Sequence, residues 1–469
     1  MLRNVHSPGF RLPGSGRAGR GGWVTAVSST AAGGWRARAG AAVAPWGERG
    51  YRIFLIARVL SAAGSAIAPV ALAFAALDVG GSAVALGWVL AAGCLPQLLV
   101  ALIGGLVTDR YPRARILPGG NLALAALQGV AAALLLTRHA GVPALAGLSA
   151  ASGMVTAFVD PATKKTLPAL VAPGLLQQAN AFAQAAFNGV KILVPVIGGS
   201  LVALIGPGYA VGFDAVTFLV AAVLLARLPE MEAAEAEQST AWVQFRDGWR
   251  AFRVHGWLML WSFQGCVTVP LWLVGYVLLG PAYAKAHLGG AAGYGLMAAA
   301  WTGGLVLGGL ACLLWSPRRL CPVAAAVSAA MALPMAAMAA AVPLPVLLTA
   351  IVIAGAALNV SAVSFNALLP RVIEPQRLGR VLSLNQAVQL VFLPPAYLLA
   401  GQAATGFGLT TTFTVIAMVL LLCAVLPPCR ADFRALTLDS APLPTEETSV
   451  PHPLPPSTAT PTHTAGEEA

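Results

Sequence analysis

Gly104-Gly105-Leu106-Val107-Thr108-Asp109-Arg110-Tyr111-Pro112-Arg113-Ala114-Arg115 separates two apolar runs, and its reading decides the fold. Residues 82–107 upstream contain no charged side chain, and neither do residues 116–137 downstream. Each run exceeds the roughly 20 apolar residues that cross the hydrocarbon of a bilayer. A soluble helical hairpin of this length would carry a polar face on each helix. Asp109, Arg110, Arg113 and Arg115, with the helix-stopping Pro112, therefore make a charged turn between two membrane spans.

The rest of the chain agrees. Of 469 residues 58% are hydrophobic and only 10% charged, with mean hydropathy +0.78, whereas a soluble domain carries about 25% charged residues. Spans read at 52–77, 83–107, 116–137, 142–160, 178–204, 208–228, 256–280, 291–315, 322–342, 344–368, 380–403 and 406–428. The expected fold is an all-α membrane protein of twelve transmembrane helices in two six-helix bundles. The six cysteines are scattered in or beside apolar runs without a CxxC, so neither a disulfide framework nor a metal site is expected.

The net charge of +11 is explained by topology. With the N-terminus inside, all but four of the 28 Lys and Arg fall in cytoplasmic segments; the exceptions are Arg58, Arg138, Lys191 and Lys285. This positive-inside bias places both termini in the cytoplasm of a multi-pass cell-membrane protein and removes nucleic acid as a partner. A literal GxGxxG, Gly14 to Gly19, follows no strand and opens no helix, so it is not a dinucleotide fingerprint.

The domain reading follows. Residues 1–50 are expected to be a disordered cytoplasmic tail, with a start codon assigned too far upstream as the other reading. Residues 51–228 form the first bundle, 229–255 a cytoplasmic linker, 256–428 the second bundle, and the Pro- and Thr-rich 429–469 a second disordered tail. In the linker Trp242, Phe245, Trp249 and Phe252 recur at helical spacing beside Arg246, Arg250 and Arg253, the pattern of an interfacial helix. The halves repeat each other: Leu167-Pro168 with Pro173 recurs as Leu369-Pro370 with Pro375, an offset of 202 residues. Such a duplication implies two bundles rocking about a central site.

With these residues in view, the motif Gly105-x-x-x-Asp109-Arg110-x-x-Arg113-x-Arg115 resembles the loop signature of the major facilitator superfamily. The resemblance covers roughly residues 50–428. Within the superfamily the chain looks most like the drug:proton antiporters that include macrolide and siderophore exporters. Asp160-Pro161-Ala162, Pro168…Asn180, Gly206-Pro207 and Phe213-Asp214-Ala215…Phe218 carry that likeness. It implies the major facilitator fold and a conformational latch made by Gly105, Asp109, Arg110, Arg113 and Asp160. In the family the latch acid meets the start of span eleven, near Arg380. For the arginines alone, setting topology is the competing reading.

Gly189 to Gly199 in span five resembles the antiporter motif of exporters, with Gly189, Pro195, Gly198 and Gly199 as the kink and close-packing positions; Val194 stands where a glycine is usual. Pro195 cannot donate to the carbonyl of Lys191, so a bend is expected there. Lys191 itself costs about 2.5–3.5 kcal/mol near mid-membrane, so it should face a wet cavity or a partner. Asp214 is the nearest acid by topology, about 10 Å away in depth from the helix rise. Arg58 lies about two turns into span one, where pairing with an acid at the cytoplasmic end or snorkelling is favoured over substrate binding. By analogy the cavity is lined by spans 1, 2, 4, 5, 7, 8, 10 and 11, whose candidates include Gln97, Gln184, Asn188, Trp261, Gln264 and Asn359. Many such amides bond between helices instead.

The expected function is secondary active export of small amphipathic compounds by proton antiport. The proton is the coupling ion, no other cofactor is needed, the protein is not an enzyme, and it acts as a monomer in the bilayer on a small-molecule substrate. A nutrient importer and a transport-inactive sensor or scaffold are the alternatives.

Overall fold

The computed structural model describes residues 44–108, 113–228, 249–250, 253, 256–315, 317, 319–373, 375–425, 427–429, 431 and 434. Twelve helical spans run through them: α1 (Arg49–Gly80), α2 (Ala83–Thr108), α3 (Arg113–Leu136), α4 (Val142–Thr166), α5 (Leu176–Ile205) and α6 (Pro207–Leu225). Next come α7 (Gly256–His287), α8 (Ala291–Leu314), α9 (Leu320–Ala339) and α10 (Leu344–Val372). The last two are α11, made of Pro375–Leu390 and Leu393–Gly406, and α12 (Leu409–Cys423). Ten of these, among the described residues, are long and apolar enough to cross a membrane, and two shorter apolar helices complete the set. The all-α, twelve-span expectation therefore holds.

Individual spans end differently from the hydropathy reading. Span four continues through Pro161 to Thr166, six residues past Asp160. Span seven runs on to His287, through a π-helical turn at Val274–Leu278 that follows Pro270. Hydropathy stops at the first polar residue, whereas a helix stops where its backbone bonds run out. Pro69, Pro96, Pro161, Pro195 and Pro270 all lie inside helices, and in a bilayer neighbouring helices can satisfy the carbonyls they free.

The duplication is written in the backbone. Gly206, before α6, has φ 85 and ψ 163, and Gly408, 202 residues later and before α12, has φ 84 and ψ 159. Arg138 between α3 and α4 and Ala341 between α9 and α10 both take positive φ, 58 and 47, a conformation rare for residues other than glycine. Packing repeats too. α2 lies on α4 as α8 lies on α10, α3 on α6 as α9 on α12, and α1 on α5 as α7 on α11. The most extensive contacts between halves are themselves a symmetric pair, α5 with α8 and α2 with α11.

The buried side chains divide by depth. Away from the face where α1 starts and α12 ends, one core joins both halves, with Phe74, Leu86 and Leu145 from the first and Leu278, Tyr294, Met335 and Tyr397 from the second. Towards the terminal face it separates into two. Tyr51, Phe54, Leu117 and Leu225 fill the first half, and Trp257, Leu320, Phe365 and Val381 the second. The described residues thus form a structure closed at one face and parted towards the other.

Candidate functional site

The closure is built from small residues and one ion pair. Gly199 of α5 lies on α8 so closely that an added methyl carbon would sit 2.7 Å from Gly295 Cα and 2.8 Å from Ala291 O. Gly198, beside it, packs against Ile67 of α1. On the other flank Gly87 of α2 meets the Tyr397 carbonyl, and Gly401 of α11 meets Ala83 and Val84. Such small-residue contacts let helices approach where dispersion, not water exclusion, holds them. At the rim Lys285 of α7 donates to Asp78 of α1 at 2.5 Å, both side chains half-exposed. Beneath lies an aromatic floor. Trp272 stacks on Trp301 with ring centroids 4.4 Å apart and on Tyr276 at 5.1 Å, while Phe74 of α1 meets the Tyr294 edge across the halves.

Below the closed end is a cavity of about 440 Å³. Its polar wall is Arg58, Ser61 and Ser65 on α1, Thr156 and Asp160 on α4, and Gln184 and Lys191 on α5; Leu124, Phe187 and Phe218 make it apolar elsewhere. Arg58 and Asp160 act on each other electrostatically, and Lys164 also acts on Asp160. The Nε of Arg58 is buried without a hydrogen-bond partner. Lys191 is exposed to the cavity.

Asp214 is 0% exposed and does not join this wall. It lies where α6 crosses Gly64 of α1, a position at which any side chain would overlap the Asp214 carboxyl and the Thr217 hydroxyl. Thr217 Oγ1 donates to the Asp214 carbonyl oxygen at 2.7 Å and approaches Oδ1 at 3.5 Å, while Oδ2 has no partner. Lys191 and Asp214, the two charges that topology brings nearest, are therefore not paired.

The other sequence candidates scatter. Gln184 lines the cavity. Gln264 is buried between helices, its Nε2 donating to Ala324 O at 2.9 Å and Ser328 Oγ at 2.7 Å. Asn359 donates to Leu305 O at 2.6 Å and ties α10 to α8. Trp261 stacks flat on Phe365, 4.8 Å between centroids. Gln97 and Asn188 lie on α2 and α5 outside the cavity wall. Gly189 faces open space, unlike Gly198 and Gly199. Pro195 sits inside α5, which continues past it to Ile205. Of the latch, Asp109 and Arg110 lie outside the described residues, and Gly105 and Arg113 are described in their backbone alone; Asp160 lines the cavity that Arg58 also lines. Sequence reasoning missed Ser65, Thr156, Phe187 and Phe218 in the wall, and the Asp78–Lys285 pair.

Comparison with known proteins fits this arrangement. The family model described as Major Facilitator Superfamily matches residues 54–392. The chain is 29% identical over 410 residues to the multidrug efflux pump Tap of Mycolicibacterium fortuitum, covering 83% of this chain and 98% of that protein. Among solved structures it is similar to the nucleoside transporter NupG (TM-score 0.64, 11% identity, 80% of this chain and 98% of that one). It is also similar to a bacterial homologue of the iron transporter ferroportin in an inward-facing state (TM-score 0.62, 19% identity, 81% and 97%). At these identities the structures speak for the fold alone.

Proposed function

Because the chain belongs to the major facilitator superfamily, we propose that it exports small amphipathic compounds by alternating access, driven by proton antiport. The observation that carries the export direction is the likeness to an efflux pump along 83% of this chain and 98% of that protein. The cavity agrees with the substrate class: about 440 Å³, with polar and charged side chains beside an apolar and aromatic lining of Leu124, Phe187 and Phe218, within the size range of small-molecule sites.

In this reading the terminal face is cytoplasmic, residues 51–228 and 256–428 move as two bundles, and the structure is the state that loads from inside. The glycine contacts of α5 with α8 and α2 with α11 hold the outer end shut. Export turns the bundles so that these contacts part and the terminal ends meet, where the loop at Asp109 latches on the start of α11. A packed contact of this kind is bistable, which makes the motion two-state.

Asp214 carries the proton. Asp160 lies in the cavity under the field of Arg58 and Lys164, whereas Asp214 has a free carboxyl oxygen, stands away from the cavity and sits in a helix crossing. Sealed here, it exchanges its proton when α1 and α6 shift in the other state. The test is flux in proteoliposomes: a pH gradient should drive substrate uphill in the wild type. Asp214→Asn should abolish that drive while leaving substrate-for-substrate exchange. Gradient-driven accumulation by Asp214→Asn would remove the assignment, and the absence of any flux from the wild type would remove the transporter reading.

A further inference from the structure

The distribution of charge within the spans singles out one class of amphipathic substrate. Residues 256–428 hold a single acidic residue, Glu374, and it falls between α10 and α11. No span of the second half therefore contains a carboxylate to receive a cation. The first half, residues 51–228, holds four: Asp78, Asp109, Asp160 and Asp214. Asp78 is bonded to Lys285 at the closed rim. Asp109 belongs to the turn between α2 and α3, and Asp214 is sealed at the α1–α6 crossing. Among the described residues only Asp160 lines the cavity, and there Arg58 and Lys164 act on it.

The cations are not balanced in the same way. Arg58 and Lys191 both line the cavity against that one acid. Lys191 has no ion-pair partner among the described residues, and the buried Nε of Arg58 has no acceptor. A buried donor without an acceptor is costly, and an ionised acceptor satisfies it best. The apolar wall of Leu124, Phe187 and Phe218 lies in the same cavity.

We infer that the substrates are amphipathic anions: an apolar body against Phe187 and Phe218, and a carboxylate or comparable acid group held by Lys191 and the guanidinium of Arg58. This inference rests on the transporter reading above, and it separates this cavity from one made for cationic drugs. A cation entering it would meet two positive groups against one acid.

The test uses one apolar body with three head groups, pyrenebutyrate, pyrenebutyramide and pyrenebutylamine, binding to the purified full-length protein in nanodiscs. The carboxylate should bind about tenfold more tightly than the amide, and the amine more weakly than either. Lys191→Gln should bring carboxylate and amide within about twofold, and Lys191→Arg should keep the preference. Arg58→Gln should weaken the carboxylate alone. Equal binding of carboxylate and amide by the wild type, preference for the amine, or a preference untouched by Lys191→Gln would overturn the inference. Flux of the same probes keeps the two proposals apart. Carboxylate binding without flux of any probe supports the anion site and removes the transporter reading, whereas flux of the amine but not the carboxylate removes the anion site and leaves the transporter.

Discussion

The carbonyl of Lys191, which Pro195 leaves without its helical donor, is met by the hydroxyl of Thr302 from the other half of the molecule, 3.5 Å away. Thr302 gives its shorter bond, 2.7 Å, to Ala298 O of its own helix, so the contact across the halves is a weak second one at the outer limit of a hydrogen bond. It nonetheless places the proline kink of α5, the cavity lysine and α8 at one point.

Thr302→Val keeps the shape and removes the donor. A net hydrogen bond contributes about 0.5–1.5 kcal/mol, and this one belongs at the low end. The population of the state open at the terminal face should fall about twofold, read as a change in distance distribution between spin labels on α5 and α8. A shift beyond about tenfold would mean that the hydroxyl has some further role.

Gly199 makes a stronger claim. Overpacking costs about 1–3 kcal/mol, and at Gly199→Ala the added carbon has only the backbone of Gly295 and Ala291 to displace. The closed end should loosen, moving the equilibrium towards the outward-open state by about fivefold or more. Gly189→Ala, where the space is empty, is the matched control and should leave both the equilibrium and transport unchanged. Equal effects from the two substitutions would show that α5 matters through helix stiffness and not through its contact with α8.

How far the sequence could lead is visible at these positions. Twelve spans, the halving of the chain and the 202-residue offset were legible because each leaves a pattern along the chain: run length, charge asymmetry, repeated Leu-Pro pairs. The same offset reappears in the backbone at Gly206 and Gly408. What faces what was not legible. On a membrane helix the lipid side, the packing side and the cavity side are all apolar, so periodicity does not tell them apart. Gln264 and Gln184 look alike in sequence, yet one is consumed by Ala324 and Ser328 and the other lines the cavity. Asp78 and Lys285 are 207 residues apart, and only the docking of α1 with α7 brings them together.

That rim pair should matter little alone. Half-exposed ion pairs contribute about 0–1 kcal/mol, and salt screens them. Asp78→Asn should shift the conformational equilibrium by at most about fivefold in low salt, and by nothing measurable in 1 M salt. Exchanging the charges, Asp78→Lys with Lys285→Asp, should restore the wild-type distribution. A single substitution that abolishes transport at high salt would show that one of the two residues touches substrate on its way out.

Gly64 and Asp214 give a stability prediction independent of transport. Gly64→Ala drives a methyl group into the Asp214 carboxyl and the Thr217 hydroxyl, which should destabilise the purified protein by about 1–3 kcal/mol, read as a fall in its melting temperature. Asp214→Asn preserves the shape and should leave the melting temperature within the error of the measurement, so that its loss of proton drive can be read as chemistry. A large fall in stability for Asp214→Asn would instead make the carboxyl a packing element of the α1–α6 crossing.

The charge of the substrate and the proton on Asp214 together fix how the cycle responds to voltage. Moving one elementary charge through the membrane potential is worth about 2.3 kcal/mol per 100 mV. An anion leaving and a proton entering displace charge in the same electrical sense, so one turnover should carry two charges. With an inside-negative potential both movements run downhill. A cation exchanged for a proton would carry none, and a neutral compound one. Currents from proteoliposomes on a solid support, divided by pyrenebutyrate flux, should therefore give a ratio near two for the wild type. Asp214→Asn should give a ratio near one, because the anion then moves without the proton. A ratio of zero for the wild type would contradict the anion and the proton assignment together. A ratio of one in both proteins would retain the anion and remove Asp214 from the coupling.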